Sequence, residues 1–439
     1  MRFEKDSCVT LGPVNKDRVF LFLQGPHGPF FWSLAEQLRQ SGAQVRRVGF
    51  NAGDRAFWFN RQSYIPFRGT IDGWPDTFVG LVKDHTVTDV VLYGDTRPVH
   101  AQAIALAKGQ GLRVHVFEEG YLRPYWVTYE QGGANGHSSL MALTIDAMQA
   151  MGEEQPFEPP IPPGHWGDMR QHVFYGALYH WFVLFWNKGY PRFQPHRALN
   201  VAQEFKLYLR RLLLMPFQSL ERMLATFRIR QGSFPYHLAL LQLEHDSSFQ
   251  MHGPFQTQSD FLDLVIEGFA KGAPVHHHLV FKAHPLEDGR VPVRQDIKRL
   301  ARRHGIADRV HYVRGGKLAG VLTDARSAVT VNSTAGQQVL WRGIPLRAFG
   351  AAVYNKPELV SHQSITDFFA DPARPDARAY RQFRDFLLAT SQLPGSYYAR
   401  KGRRQLLRQV TDLMLQGHDP YALPHPKSEA VQQQLRVVR

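Results

Sequence analysis

The chain has 439 residues, 44% of them hydrophobic, one cysteine and a formal net charge of +14. That length holds two or three domains with cores of their own; the lone Cys8 excludes an internal disulfide, and a mean hydropathy of −0.32 argues against an integral membrane protein. The basic excess calls for an anionic partner: nucleic acid, an anionic membrane surface or a phosphorylated substrate. The N-terminus lacks the basic-then-apolar order of a signal peptide, and the single cysteine fits a reducing cytoplasm.

From Arg18 the chain reads as strand (VFLFLQ), Gly/Pro turn (GPHGP), helix (FFWSLAEQLRQSG) and strand (AQVRRVGF). Phe31, Leu34, Ala35 and Leu38 share one helical face. This βαβ opening is the pattern of a doubly wound sheet, but the turn is not GxGxxG, so a dinucleotide fold is disfavoured. A second unit follows: TDVVLYGD, PVHAQAIALAKGQG and LRVHVFEEG. Its strands end in acids, Asp95 and then Glu118 with Glu119. Ligands of open α/β sheets bind at the carboxyl ends of strands, so Gln24, His27, Asp95 and the glutamate pair are expected on one rim. The stretch after them, YLRPYWVTYEQGGANGHSS, reads as a long irregular binding loop.

QPFEPPIPP, Gln155 to Pro163, marks a linker or domain edge. Beyond it, to Gln231, the chain reads as helical, aromatic and basic, with Lys188, Arg192, Lys206, Arg210, Arg211, Arg222, Arg228 and Arg230 on its polar parts. Two readings stay open: core helices joining two lobes, or an interfacial helix pair resting on anionic lipid.

From His237 the alternation resumes: HLALLQLEH, SDFLDLVIEGFAKG, HLVFKAHP, VRQDIKRLARRHG and onward to IPLRAFG. Strands spaced by helices of this length mean a parallel sheet covered on both faces. Within this half, RSAVTVNSTAGQQVLWRGIP gives a strand over Ala328–Val331, a turn of Asn332, Ser333 and Thr334, and a helix over Ala335–Trp341 stopped by Gly343 and Pro345. Such a helix start offers backbone N–H groups and hydroxyls to an anion, although a capped helix holding nothing has the same sequence. The tail from Ser364 reads as helical.

Lys282 and His284, two apart at the end of a strand and followed by Pro285, reach one point. With the Ser333/Thr334 turn they make a pocket for phosphate or carboxylate. Gln242, Glu244 and Asp246 end a strand of the same half and are weaker candidates for reading a ligand amide or hydroxyl. In the first half the Glu118/Glu119 pair, near Arg123, is the candidate for acid/base work; a buried carboxylate paired with Arg123 is the alternative. Strand alternation lets only one glutamate face a given side. His276, His277 and His278 are adjacent and point in alternate directions, which disfavours a metal. No P-loop, GxSxG elbow or zinc spacing is present in the sequence, and nucleic acid is not an expected partner.

Four motifs in order, QGPHGPFF (24–31), FEEGYLRPYWVTYE (117–130), FKAHP (281–285) and VNSTAGQQVL (331–340), resemble the bacterial capsule polysaccharide biosynthesis/export family, nearest its KpsS/LipB-type branch. The likeness runs from about Arg18 to about Phe349. It implies two Rossmann-like lobes in a GT-B-like glycosyltransferase, with a helical insertion between them. It also implies a retaining β-Kdo transferase moving Kdo from CMP-Kdo to a phosphatidylglycerol-type lipid, cytoplasmic and peripheral on the anionic inner-membrane surface, beside other capsule assembly proteins. No cofactor beyond the donor is implied. By the resemblance, His284 with Ser333 and Thr334 hold the donor's phosphate and carboxylate, Lys282 assists, and Glu119 stands where a related branch has a catalytic aspartate. Asn332, Pro285 and Gln242 complete the expected donor side; Gln24, His27, Arg123 and Asp95 form the acceptor side. The expected division is 1–155 (first lobe), 156–232 (basic aromatic connection), 233–395 (second lobe) and 396–439 (helix and tail). A non-catalytic capsule assembly partner and a same-fold transferase for another nucleotide sugar remain as alternatives.

Overall fold

A computed structural model describes residues 17–154, 169–194, 219–285 and 289–416, together with 214, 217, 287, 419 and 421. Cys8, the linker at 155–163, Lys206, Arg210, Arg211 and the tail beyond Lys427 lie outside the described residues. The chain is mixed α/β with parallel sheets and divides into two compact units. One takes the chain up to Glu118 with 163–193 and 393–418; the other takes 119–162, 194–392 and the remainder. The first cut thus falls after Glu118, not at 155, and the C-terminal helix Arg400–Gln416 belongs with the first unit.

In the first unit, β1 (Val19–Phe22), β2 (Gln44–Gly49), β3 (Tyr64–Pro66), β4 (Asp89–Tyr93) and β5 (Arg113–Glu119) run parallel in the order β5-β4-β1-β2-β3. VFLF of β1 is buried throughout, as a strand covered on both faces must be. The helix Phe30–Gln40 buries Phe30, Phe31, Leu34, Ala35 and Leu38, the face its periodicity requires.

The aromatic helix Met169–Phe185 packs on this unit. Tyr175 lies against Gly28, whose φ of +111° and close ring favour glycine; a Cβ there would stand 3.0 Å from the Tyr175 ring. Tyr179 covers Gly53 in the same way and stacks on His27 with ring centres 4.4 Å apart. The opposite side, with Val173, Phe174, Phe185 and Trp186, is exposed. One face is therefore core, and the other remains open to solvent. Among the described residues no helix is long and apolar enough to cross a membrane.

The second unit carries β6 (Trp126–Gln131), β7 (Tyr236–Leu240), β8 (His278–Lys282), β9 (Val310–Val313), β10 (Ala325–Thr330) and β11 (Leu346–Ala348). β6 corrects the expectation of an irregular loop: WVTYEQ is β-branched and aromatic, and five of its six residues are buried. The other five strands form a parallel sheet in the order β11-β10-β7-β8-β9. The histidine triplet is split by strand alternation: His277 Nδ1 bonds His237 Nε2 at 3.0 Å, and His278 Nδ1 bonds His311 Nε2 at 2.8 Å.

Candidate functional site: a cationic cleft at the strand ends

In the second sheet the chain runs outward from β7 through β8 to β9, then returns to place β10 on the other side of β7. The reversal between β7 and β10 opens a crevice at the carboxyl ends, the place where open α/β sheets bind ligands. A cleft of about 580 Å³ lies there. Leu240 and Leu241 at the end of β7, Lys282 to Pro285 at the end of β8, and Ser333 and Thr334 after β10 all line it. The fold therefore brings together Lys282, His284, Pro285, Ser333 and Thr334, and adds Arg123 from the segment Tyr121–Trp126.

Two arginines and an aromatic escaped the sequence reading. Arg342, Arg384 and Trp341 also line the cleft. Arg384 sits over the Trp341 ring at 4.7 Å, and Trp341 is itself 57% exposed. Arg384 belongs to the helix Ala377–Ala389, some forty residues downstream. Nothing local in ARAYRQFRDFLLA marks one arginine as cleft-facing. Lys282, Arg123, Arg342 and Arg384 thus meet in a space with no carboxylate among its described lining residues. That charge balance suits a multiply charged anion.

The helix start itself is shorter than the sequence suggests. The helix after the turn is only five residues, Gly336–Leu340, and its first donors are already engaged. Ala335 N–H donates to Ser333 Oγ at 3.2 Å, Gly336 N–H to Ser333 O at 2.9 Å, and Gln337 N–H to Thr334 O at 3.2 Å. The formal positive charge of the cleft comes from the side chains of Lys282, Arg123, Arg342 and Arg384.

Asn332 and Gln242 are buried and bonded to each other. Gln242 Nε2 donates to Asn332 Oδ1 at 2.7 Å, and Asn332 N–H returns to Gln242 Oε1 at 3.0 Å. Asn332 Nδ2 also donates to Ser248 O at 2.8 Å. These amides fix the turn to the end of β7 and do not line the cleft. Glu244 accepts from Gln258 N–H, and Asp246 accepts from Ser248 N–H at the start of Ser247–His252, so both serve local structure.

Lys282 is buried, and its Nζ donates to Ala283 O and Gly316 O, each at 3.2 Å. Burial, and then the charge of Arg222, push its ammonium down to about 8. A bound anion favours the charged form and so takes up a proton. Anion affinity is therefore expected to be highest below pH 8 and to fall by up to about tenfold per pH unit above it. Calorimetric titration across pH 6.5–9.5 (roughly the window that brackets this value) checks this; a flat profile would remove Lys282 from the site.

Glu118 and Glu119 are not among the residues lining this cleft. Both end β5, and their side chains alternate. Glu119 O accepts from Thr128 Oγ1 at 3.2 Å, and Glu118 O accepts from Tyr397 OH at 2.7 Å. Arg123 Nε donates to Gly120 O at 3.3 Å.

The first unit has its own polar strand ends. β1 and β4 are direct neighbours, so Gln24 and Asp95 follow adjacent strands, and both are buried. Gln24 Nε2 donates to Asp54 Oδ2 at 3.2 Å, and Arg97 Nη1 donates to Gln24 Oε1 at 3.4 Å. Asp54 also accepts from Arg47 Nη2 at 3.2 Å, Phe50 N–H at 2.9 Å and Tyr179 OH at 3.3 Å. His27 lies over Tyr179, beside this cluster. Asp54 went unrecognised because NAGDRAF reads as an ordinary capped turn.

Fold and cleft together define a parallel α/β protein with a cationic cleft at a topological switch point. Residues 88–398 match the family described as "Capsule polysaccharide biosynthesis protein", and the chain belongs to that family. It is 30% identical over 384 residues to "Capsule polysaccharide export protein KpsS" of Escherichia coli, covering 86% of this chain and 96% of that one. It is likewise 30% identical over 386 residues to "Capsule polysaccharide modification protein LipB" of Neisseria meningitidis serogroup A, covering 86% and 91%. Among solved structures, "Thermosulfurimonas dismutans KpsC, beta Kdo 2,7 transferase" aligns over 90% of this chain and 100% of that one, with a TM-score of 0.43 and 12% identity. The family read from the four motifs is the one the chain belongs to.

Proposed function

We propose that this protein is a GT-B-like retaining β-Kdo glycosyltransferase of capsule assembly, acting at the cytoplasmic face of the inner membrane. It transfers Kdo from CMP-Kdo to a phosphatidylglycerol-type lipid. The observation that carries the reading is the cleft, where four cations meet without a carboxylate among the described lining residues. CMP-Kdo brings one phosphate charge and one carboxylate charge, the kind of load such a cleft is built for. The exposed Trp341 face offers the cytosine a stacking surface, and Ser333 and Thr334 supply hydroxyls. His284, half-buried beside Lys282, holds the phosphate as CMP departs. In net transfer the acceptor hydroxyl oxygen bonds the Kdo anomeric carbon, the bond to the CMP phosphate breaks, and the hydroxyl proton passes to a carboxylate. Glu119 is assigned that carboxylate from the family motif.

The reading is tested by incubating the protein with CMP-Kdo generated in situ and a fluorescent phosphatidylglycerol analogue, then weighing the product. Lipid product heavier by Kdo, with matching CMP release, is expected. Background CMP release and no added mass would return the chain to a non-catalytic assembly partner; transfer from another CMP-sugar instead would keep the reaction and replace the donor. Glu119→Gln should lower turnover about 10²–10⁴-fold, the range of a missing proton acceptor. His284→Ala should fall comparably, with melting temperature unchanged in both. Wild-type rates would remove these residues from the site.

A further inference from the structure

We propose that a second groove, on the second unit, seats an anionic phospholipid and fastens that unit to the bilayer surface. The groove, of about 610 Å³, is lined from helical residues 219–231, the helix Val293–Arg303 and the strand β9. Its apolar lining includes Leu224, Ile229, Phe234, Ile297, Ala301 and Val310. Four cations share it: Arg228, Arg294, Lys298 and Arg302. The sole acid among its described lining residues is Glu221, already engaged by Arg294 at 2.5 Å and by Arg314 at 3.7 Å. Arg228, Lys298 and Arg302 are exposed.

An apolar interior under a cationic rim asks for one molecule with an acyl body and an anionic head. The same helical run decides between a lipid and a protein partner. Leu220, Met223, Leu224 and Phe227 recur at helical spacing, and all are exposed, Met223 by 60% and Phe227 by 59%. A stripe of that kind beside clustered arginines is the composition of a helix lying in a bilayer interface, where basic residues meet anionic headgroups and apolar ones enter the acyl boundary. A bilayer wets stripe and groove together. The site needs neither donor nor turnover, so it stands apart from the transferase reading.

The test uses the full chain and vesicles of phosphatidylcholine with or without phosphatidylglycerol, read by co-sedimentation. The wild type is expected on the anionic vesicles only. The combined change Arg228→Glu, Lys298→Glu, Arg302→Glu should weaken binding at least about 10²-fold, since each basic residue near such a surface contributes roughly fivefold and the three multiply. Ala225→Trp fills the groove without altering charge and should weaken it about tenfold, as read from the vesicle titration. Lys282→Met, in the other cleft, should bind vesicles as the wild type does, so that loss of transfer and loss of docking are told apart. Unchanged binding by Ala225→Trp, or equal binding to uncharged vesicles, overturns the proposal. A folding-independent check is calorimetry on the wild type with dihexanoyl phosphatidylglycerol, glycerol 3-phosphate and dihexanoyl phosphatidylcholine. Saturation by the first alone is expected. Equal saturation by glycerol 3-phosphate would make this a phosphate site, and lipid-independent self-association at the same face would assign it to a second copy; either result overturns it.

Discussion

Lys282→Met should lower kcat/KM for the sugar donor about 10–10²-fold and leave the protein as stable as the wild type, or more so. The size is that of one charge-assisted hydrogen bond to a bound anion. The stability follows from the surroundings of the ammonium, which has two backbone carbonyls and a depressed pKa of about 8. A lowered lysine pKa means that folding disfavours the charged form, so the protonated side chain costs stability at every pH below its unfolded value. Methionine keeps the stem and removes that cost. Donor kinetics beside a thermal melt separate the outcomes. A variant that is less stable and still active would make Lys282 a structural residue.

Asp89→Ala should cost about 3–5 kcal/mol, the range for removing one partner from a buried ion pair. Asp89 starts β4 with no exposure and accepts from Arg18, from Arg113 Nε at 2.9 Å and from His115 Nε2 at 2.9 Å. Arg18 also donates to Met414 O at 2.7 Å and Leu415 O at 2.9 Å, binding the last turn of Arg400–Gln416 into the first unit. Burial alone would raise the Asp89 carboxyl, but hydrogen bonds from His115 and Arg18 overcome it and hold the group well below its usual 3.8. His115, wholly buried, is pushed down by desolvation despite Asp89 beside it. A carboxyl held down in this way contributes stability that is complete above its unfolded value and disappears as the pH falls toward the folded one. Denaturation of wild type and variant should therefore differ by a constant amount above about pH 5 and draw together progressively as the pH falls below about 4. A gap that does not narrow in acid would mean that the loss is one of packing, not charge.

Much of the cleft was legible from strand ends. FKAHP and VNST stop where parallel strands stop, and residues at such ends face a common edge whatever the partner strands are. The aromatic helix Met169–Phe185 was legible as a helix and not as to its place. Both expected roles use the same residues, and only the packing of Tyr175 and Tyr179 on Gly28 and Gly53 shows which face is core. The six-residue β6, lying between Pro124 and Gly132, resembles a loop in sequence, and only its burial marks it as a strand.

The sequence by itself determined the alternation of strands and helices, the basic balance and the family, because periodicity, charge and short motifs are properties of neighbouring residues. Tertiary structure alone decided that β10 returns beside β7 and that Arg342 and Arg384 join Lys282. It also decided that Asn332 and Gln242 bond each other. Strand order and the convergence of residues far apart along the chain depend on which surfaces bury one another, and that selection is made by the packed core as a whole.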